Sequence, residues 1–168
     1  ATFGHSAAAA NAVTAQLGAI STSGDGAIGF LGQGVGGSGG AVVSAFNNSG
    51  VTSYGATLGG SSGSSDNGSN ITVTTYNHAV STGGADAPGI VAQSLGGGGG
   101  FYSESNGAAI GTMAVNLTLG GASGSGYGGG VTLTLGSGGT TPISTQGANS
   151  VGVLAQSIGD GGGFIGLS

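Results

Sequence analysis

The sequence predicts an all-β fold, a β-solenoid similar to a parallel β-helix, built from Gly-rich repeats of about 60 residues. Three observations support this prediction: an internal repeat, segments that alternate apolar and polar residues, and glycines at recurring positions. Of the 168 residues, 44 are glycine, a proportion that indicates disorder in a chain without a period. Because these glycines follow each repeated motif at the same distance, we interpret them as required backbone geometry in a stacked β-structure.

The repeat is clearest around three glutamines, Gln33, Gln93 and Gln156, which are 60 and 63 residues apart. Each glutamine lies in a Gly-bounded segment, and each segment follows a lead of Ile or Val, Ser and Thr. The segments occupy residues 29–40, 89–100 and 152–163. We therefore describe residues 1–168 as a single repeat array, with approximate units at 1–40 (partial), 41–100 and 101–163 and a tail at 164–168.

Within each unit the local pattern indicates β-strands. Residues 71–76 and 131–135 alternate apolar and polar side chains, which is the period of a strand with one buried face. Residues 42–46 and 115–119 show a similar pattern, and turn residues separate these segments as in an all-β fold. Each unit thus holds several short strands.

The alanine run within residues 6–17 is the one segment with appreciable helix propensity. Val13, near its end, lies 60 residues before Val73 and so keeps the register of the repeat. We therefore predict a strand at the C-terminal end of this segment.

A unit of this size cannot bury its own apolar face, but stacked units cover one another. Three to five strands in each unit suggest two or three coils of about 20–30 residues. Equivalent side chains of successive coils would then form ladders along the solenoid axis.

The composition excludes several classes of function. The chain has no lysine or arginine and a net charge of −5, so it has no cations to bind nucleic acid, phosphates or an anionic membrane surface. It also has no cysteine and hence no thiolate ligands for a metal. No run of about 18 apolar residues is present to insert into a membrane. We expect a protein that is not an enzyme and takes no cofactor, and we interpret the chain as a section of a longer one.

The three glutamines are the best candidates for a repeated polar role. A stacked ladder of side-chain amides is the favoured interpretation, and a row that contacts a ligand is the alternative.

Asp25, Asp86 and Asn149 recur 8, 7 and 7 residues before these glutamines. Asx residues beside glycine favour tight turns, so we predict turn positions there. A calcium site is the alternative, but one carboxylate per repeat supplies too few oxygen ligands.

Other candidate sites have weaker support. His5 and His78 lie outside the repeat register and have no acidic partner at a helical or metal-binding spacing. The G-x-S-x-G matches at residues 36–40 and 59–63 are expected by chance in a chain rich in Gly and Ser. We predict no catalytic, cofactor-binding or metal-binding residues.

Two units carry a Thr-x-Thr pair, at Thr72 and Thr74 and at Thr132 and Thr134. Each pair places two hydroxyls on one face of a strand. Solvation of a plain outer face is the favoured interpretation, and an ice-binding surface is the alternative.

Residues 89–100 and 143–163 resemble the Gly-rich repeats of very large bacterial autotransporter-like surface proteins. In those repeats, segments of the type G-I-x-A-Q-S-I-G-G-G-G-G alternate with G-G-x-V-x-V strands. The resemblance spans most of residues 20–168 and is most specific at Ala92-Gln93-Ser94 and Ala155-Gln156-Ser157. It implies a secreted passenger region at the bacterial cell surface, with β-helical architecture and a role in adhesion, aggregation or fibre formation.

An uncapped solenoid exposes unpaired strand backbone at each end, and a nearly uncharged chain offers little repulsion against stacking. We therefore expect the chain to bind itself head to tail and form a filament. A face that binds host or cell-surface glycans is an alternative, although the tyrosines that would serve as stacking platforms do not recur at one repeat position. These tyrosines are Tyr54, Tyr76, Tyr102 and Tyr127.

Overall fold

The computed structural model describes residues 2–3, 12–37, 39–46, 53–58, 66–106, 114–119, 125–137, 139 and 142–167, and their regular secondary structure is β-strand throughout. The predicted all-β class is therefore confirmed. The fifteen strands are β1 (Thr2–Phe3), β2 (Val13–Leu17), β3 (Ile20–Thr22), β4 (Phe30–Val35), β5 (Gly39–Phe46), β6 (Ser53–Leu58), β7 (Ile71–Thr75), β8 (Val80–Thr82), β9 (Ile90–Leu95), β10 (Gly99–Asn106), β11 (Ala114–Leu119), β12 (Val131–Thr134), β13 (Ile143–Thr145), β14 (Val153–Ile158) and β15 (Gly162–Leu167).

The strands form five parallel sheets of three strands each, with the orders β1-β6-β11, β15-β10-β5, β12-β7-β2, β13-β8-β3 and β14-β9-β4. Every sheet joins strands that are five apart in the chain, so the chain completes one coil for every five strands. This arrangement confirms the β-solenoid. We name β2–β6 coil 1, β7–β11 coil 2 and β12–β15 coil 3, and β1 holds the fifth-strand position of a preceding coil.

The predicted coil of about 20–30 residues is wrong, because one repeat of about 60 residues forms one coil. Gln33 pairs with Gln93, and Gln93 pairs with Gln156, in directly adjacent strands. Coils stack best when like residues face like residues across the strands. The sequence has no shorter internal period, so in-register stacking requires the full repeat in each coil.

The register also differs from a uniform spacing at β2. Val13 pairs with Ile71, and Ala15 pairs with Val73, so the predicted alignment of Val13 with Val73 is wrong by two residues. The connection after β2 is shorter than the one after β7, which accounts for the offset. Because side chains alternate with period two, a shift of two residues leaves the same face of β2 toward the core.

The main apolar core is formed by inward-facing side chains from the first three strands of each coil. Its buried members come from coils 1 and 2, and partly buried residues of all three coils pack against them. The buried residues are Leu17, Ile71, Val73, Val80, Ile90 and Ala92.

Strand β9 is buried on both faces. Ile90 and Ala92 belong to the main core, and the intervening Val91, Gln93 and Leu95 are also fully buried. Parallel strands covered on both sides are typically continuous apolar runs, and Gln93 interrupts this run. A polar group at this depth needs an internal hydrogen-bond partner.

Candidate functional site

The three glutamines form one hydrogen-bonded column along the sheet of β4, β9 and β14. Gln33 Nε2 donates to Gln93 Oε1 at 2.8 Å, and Gln93 Nε2 donates to Gln156 Oε1 at 2.6 Å. Gln33 Nε2 also approaches the carbonyl oxygen of Gly40 at 3.3 Å. The column satisfies the amide of the buried Gln93 on both sides, which a low-dielectric interior requires.

This column is internal. Gln93 is 0% exposed, and Gln33 and Gln156 are partly buried at the flanking coils. A dissolved ligand cannot reach the central amide, so the geometry favours the stacked ladder over a row that contacts a ligand. Among the described residues, neither Gln33 Oε1 nor Gln156 Nε2 has a hydrogen-bond partner. The column therefore ends in an acceptor on coil 1 and a donor on coil 3.

The predicted turn residues lie in the connections that precede β4, β9 and β14. Asp86 and Asn149 have positive φ angles of 49° and 56°, and Gly26 occupies the equivalent position of coil 1 with φ 68°. The stacking is shown by Gly26 N, which donates to Ala85 O, and by Asp86 N, which donates to Ala148 O. Glycine, Asn and Asp are the residues that most readily adopt this left-handed conformation.

Asp25 does not share this column, because it lies one residue before Gly26. Its carboxylate acts between coils instead: Ala85 N donates to Asp25 Oδ1 at 2.9 Å. Asn67 and Asn70 make the same kind of contact, accepting from Tyr127 N and Gly130 N, each at 2.8 Å. All three bonds join residues 60 apart, so these side chains hold one coil against the next.

A second polar column, which the sequence analysis missed, runs through the threonines that end β3, β8 and β13. Thr22, Thr82 and Thr145 donate from Oγ1 to the carbonyl oxygens of Ala27, Ala87 and Ser150. Each acceptor lies five residues later, so each hydroxyl closes the turn that follows its strand. The repeated Ile/Val-Ser-Thr lead was the available signal for this column.

Asp86 is buried, at 2% exposed. Among the described residues, neither of its carboxylate oxygens has a hydrogen-bond partner, while its main-chain oxygen accepts from Ser103 Oγ at 3.2 Å. No group of three or more His, Asp or Glu side chains suited to a metal occurs in the described ranges. The positive φ of Asp86 and its place before β9 thus assign it to a turn.

The structure describes only some of the remaining candidates. His78 is exposed, and His5 lies outside the described residues. Of the two G-x-S-x-G matches, Ser38 and the whole of residues 59–63 also lie outside them. Within the described part of the chain, no helix is long and apolar enough to cross a membrane.

No protein-family model matches this chain, and neither a curated protein nor a solved structure is significantly similar to it. The function must therefore be inferred from the geometry of the solenoid itself. That geometry offers two features: coil edges that carry the same repeated pattern, and outward faces with regular rows of side chains.

Proposed function

We propose that this chain is a non-catalytic structural module of an extracellular surface fibre, in which coils of one copy stack head to tail on coils of another. The observation that carries the proposal is that one repeat forms one coil. Strands β2–β5 lie at one edge of their sheets and β12–β15 at the opposite edge. An incoming copy would thus meet coil 3 with the same strand pattern that coil 1 presents to coil 2. The bacterial cell surface, with a role in adhesion, aggregation or biofilm formation, is the setting that the repeat resemblance supports.

Three properties of the coil edges favour this contact. Within the part of the chain that the structure describes, the glutamine column ends in an unpaired acceptor at Gln33 and an unpaired donor at Gln156, so it can continue across the junction. Exposed parallel strand edges are ready to pair with another chain. Charge opposes the contact only weakly, because the whole chain has five acidic residues and no basic ones. A head-to-tail contact forms a closed ring only if the rotation between successive copies brings the last copy back to the first. Copies stacked along the solenoid axis do not return in this way, so the contact propagates as a filament.

Position β1 is also compatible with this arrangement. Among the described residues, coil 3 has four strands, and β1 occupies the fifth-strand position that precedes coil 1. In a docked pair, β1 of the incoming copy would lie beside β11 and supply the fifth position of coil 3. The same edges would equally receive further coils of a longer chain.

The test is a disulfide that forms only between correctly stacked copies. Thr14, Thr72 and Thr132 occupy one register position in coils 1, 2 and 3, and the chain has no cysteine of its own. In a variant with Thr14→Cys and Thr132→Cys, the two thiols of one copy are separated by two strand spacings, about 9–10 Å between Cα atoms. In stacked copies, the cysteine at position 132 of one chain and the cysteine at position 14 of the next are about 4.8 Å apart between Cα atoms, within the range for a disulfide. We expect a ladder of covalent oligomers on non-reducing gels after mild oxidation.

The matched control combines Thr14→Cys with Thr134→Cys, which is displaced by two residues along the strand. The Cα atoms of the two introduced cysteines in stacked copies are about 8 Å apart, beyond disulfide reach, so this variant should remain largely uncross-linked.

Electron microscopy of the unmodified chain should show fibres of uniform width. A compact monomer at high concentration in light scattering would refute self-assembly. Fibres that cross-link equally in both variants would refute only the in-register contact.

A glycan-binding face receives no support from the tyrosines. Tyr102 is fully buried, whereas Tyr76 and Tyr127 are 42% and 76% exposed. Tyr102 pairs with Val42 and Ile165, so its column contains no other aromatic residue. The described tyrosine side chains do not form a shared stacking platform.

A further inference from the structure

The outer face of the β2-β7-β12 sheet carries two parallel rows of polar side chains. Thr14, Thr72 and Thr132 form the first row, in direct register across the three strands. The second row consists of Gln16, Thr74 and Thr134. The sequence shows the Thr-x-Thr pair in two repeats only. The two-residue offset at β2 places Thr14 beside Thr72 and Gln16 beside Thr74, so the two rows together hold five threonines and one glutamine.

These side chains point away from the core. In each of the three strands the intervening residues, such as Ala15, Val73 and Leu133, pack in the main apolar core. Side chains alternate between the two faces of a strand, so the rows lie on the solvent side. Thr14, Gln16, Thr132 and Thr134 are exposed, and the central Thr72 and Thr74 are partly exposed between their neighbours.

Strand geometry makes the array a regular lattice. Neighbouring members of a row are about 4.8 Å apart, and the two rows are about 6.6 Å apart along each strand. Threonine is restricted at χ1 by its branched Cβ, so the five threonines on this face hold their hydroxyls and methyl groups in a narrow range of positions. None of the five acidic residues lies on these strands, so the two rows themselves carry no charge.

We propose that this face, the threonine array, binds the surface of ice crystals. Each hydroxyl can donate and accept hydrogen bonds with water, and the lattice repeats in two directions at distances close to the oxygen repeats of ice. The methyl groups between the hydroxyls limit the other orientations that bound water can take. Water held by several members at once therefore has the order of an ice layer, and the array adsorbs to a crystal as a unit. This activity does not depend on the filament contact.

The neighbouring sheet supplies a matched control. Ser21, Ser81 and Ser144 form a single column on β3, β8 and β13, in register and at least partly exposed like the threonines. Because these strands are three residues long and Thr22, Thr82 and Thr145 are committed to turn carbonyls, the serine column has no second row. Its members carry hydroxyls but form no two-dimensional lattice.

The experiment is nanolitre osmometry on the purified chain, with direct observation of crystal shape. The unmodified chain should separate the melting and freezing temperatures and produce faceted crystals. Thr72→Leu, at the centre of the array, should abolish most of that gap, because it interrupts both the row that joins Thr14 to Thr132 and the Thr72–Thr74 pair on β7. Ser81→Leu, in the same coil and at similar exposure, should retain the gap.

Circular dichroism spectra and thermal melting will show whether each variant remains folded. If Thr72→Leu unfolds the chain, Thr132→Leu on coil 3 takes its place and should reduce the gap. An unmodified chain without a gap or crystal faceting would overturn the proposal. A folded Thr72→Leu variant with an undiminished gap, or an equal loss in Ser81→Leu, would also overturn it, because the gap would then not depend on the two-row lattice.

Discussion

Replacing Gly99 with alanine is expected to lower the free energy of unfolding by about 3–5 kcal/mol, through overpacking and an unfavourable φ together. Gly99 pairs with Gly39 on one side and with Gly162 on the other. A Cβ at Gly99 would lie 1.8 Å from the carbonyl oxygen of Gly162, and the φ angle there is 130°. The obstacle is backbone, so no rotamer change relieves it and the two coils must separate. Urea unfolding followed by circular dichroism measures the effect.

Gly18→Ala is the control for this substitution. Nothing lies within 4 Å of a Cβ built at Gly18, so alanine there should change stability by less than about 1 kcal/mol, with stabilisation the favoured sign. An equally small effect of Gly99→Ala would show that the coils are not packed at the glycine column as described. With total stabilities of about 5–15 kcal/mol for folded proteins, the expected loss is a large share of the whole.

Gln93→Leu is expected to destabilise the chain by about 2–3 kcal/mol, although leucine has a similar volume and is more apolar. The substitution removes the acceptor of Gln33 Nε2 and the donor to Gln156 Oε1. Leaving buried or partly buried polar atoms without partners costs about 1–3 kcal/mol each, and Gln33 keeps only its contact with Gly40. Chemical denaturation of the variant, compared with the unmodified chain, measures the loss.

Gln16→Leu serves as the matched control, because Gln16 is exposed on β2 and should tolerate the change within about 0.5 kcal/mol. The triple variant, with leucine at positions 33, 93 and 156, leaves no orphaned amide and should be less destabilised than the sum of the single variants. Strict additivity of the three substitutions would contradict a coupled column.

Local patterns in the sequence predicted much of the architecture. The alternation in residues 71–76 reflects which side chains face the core, and this information is local, so β7 was predictable. The spacing of Gln33, Gln93 and Gln156 indicated which residues are equivalent, and the structure stacks them directly. The glycine that follows each motif was predictable as a position of close backbone approach, which Gly99 exemplifies.

The details of the candidate sites were less accessible. Asp25 was grouped with Asp86 and Asn149 because all three are Asx residues near glycine, yet the left-handed position of coil 1 belongs to Gly26. Residue type alone does not distinguish a side chain that supports a turn from one that links two coils. The pairing of Thr14 with Thr72 was not accessible for a related reason, since the two-residue offset comes from the shorter connection after β2 and not from the strand itself.

The sequence by itself determined the all-β class, the repeat length and the identity of most stacked residues, because hydrophobic alternation and self-similarity are properties of the chain. Only the tertiary structure decided that one repeat is one coil, that β9 is buried on both faces, and that Thr14 aligns with Thr72. A repeat spacing states which positions are equivalent, but not how many strands complete one circuit. That number depends on how the connections turn and which faces pack together, and both are settled by contacts between residues distant in sequence.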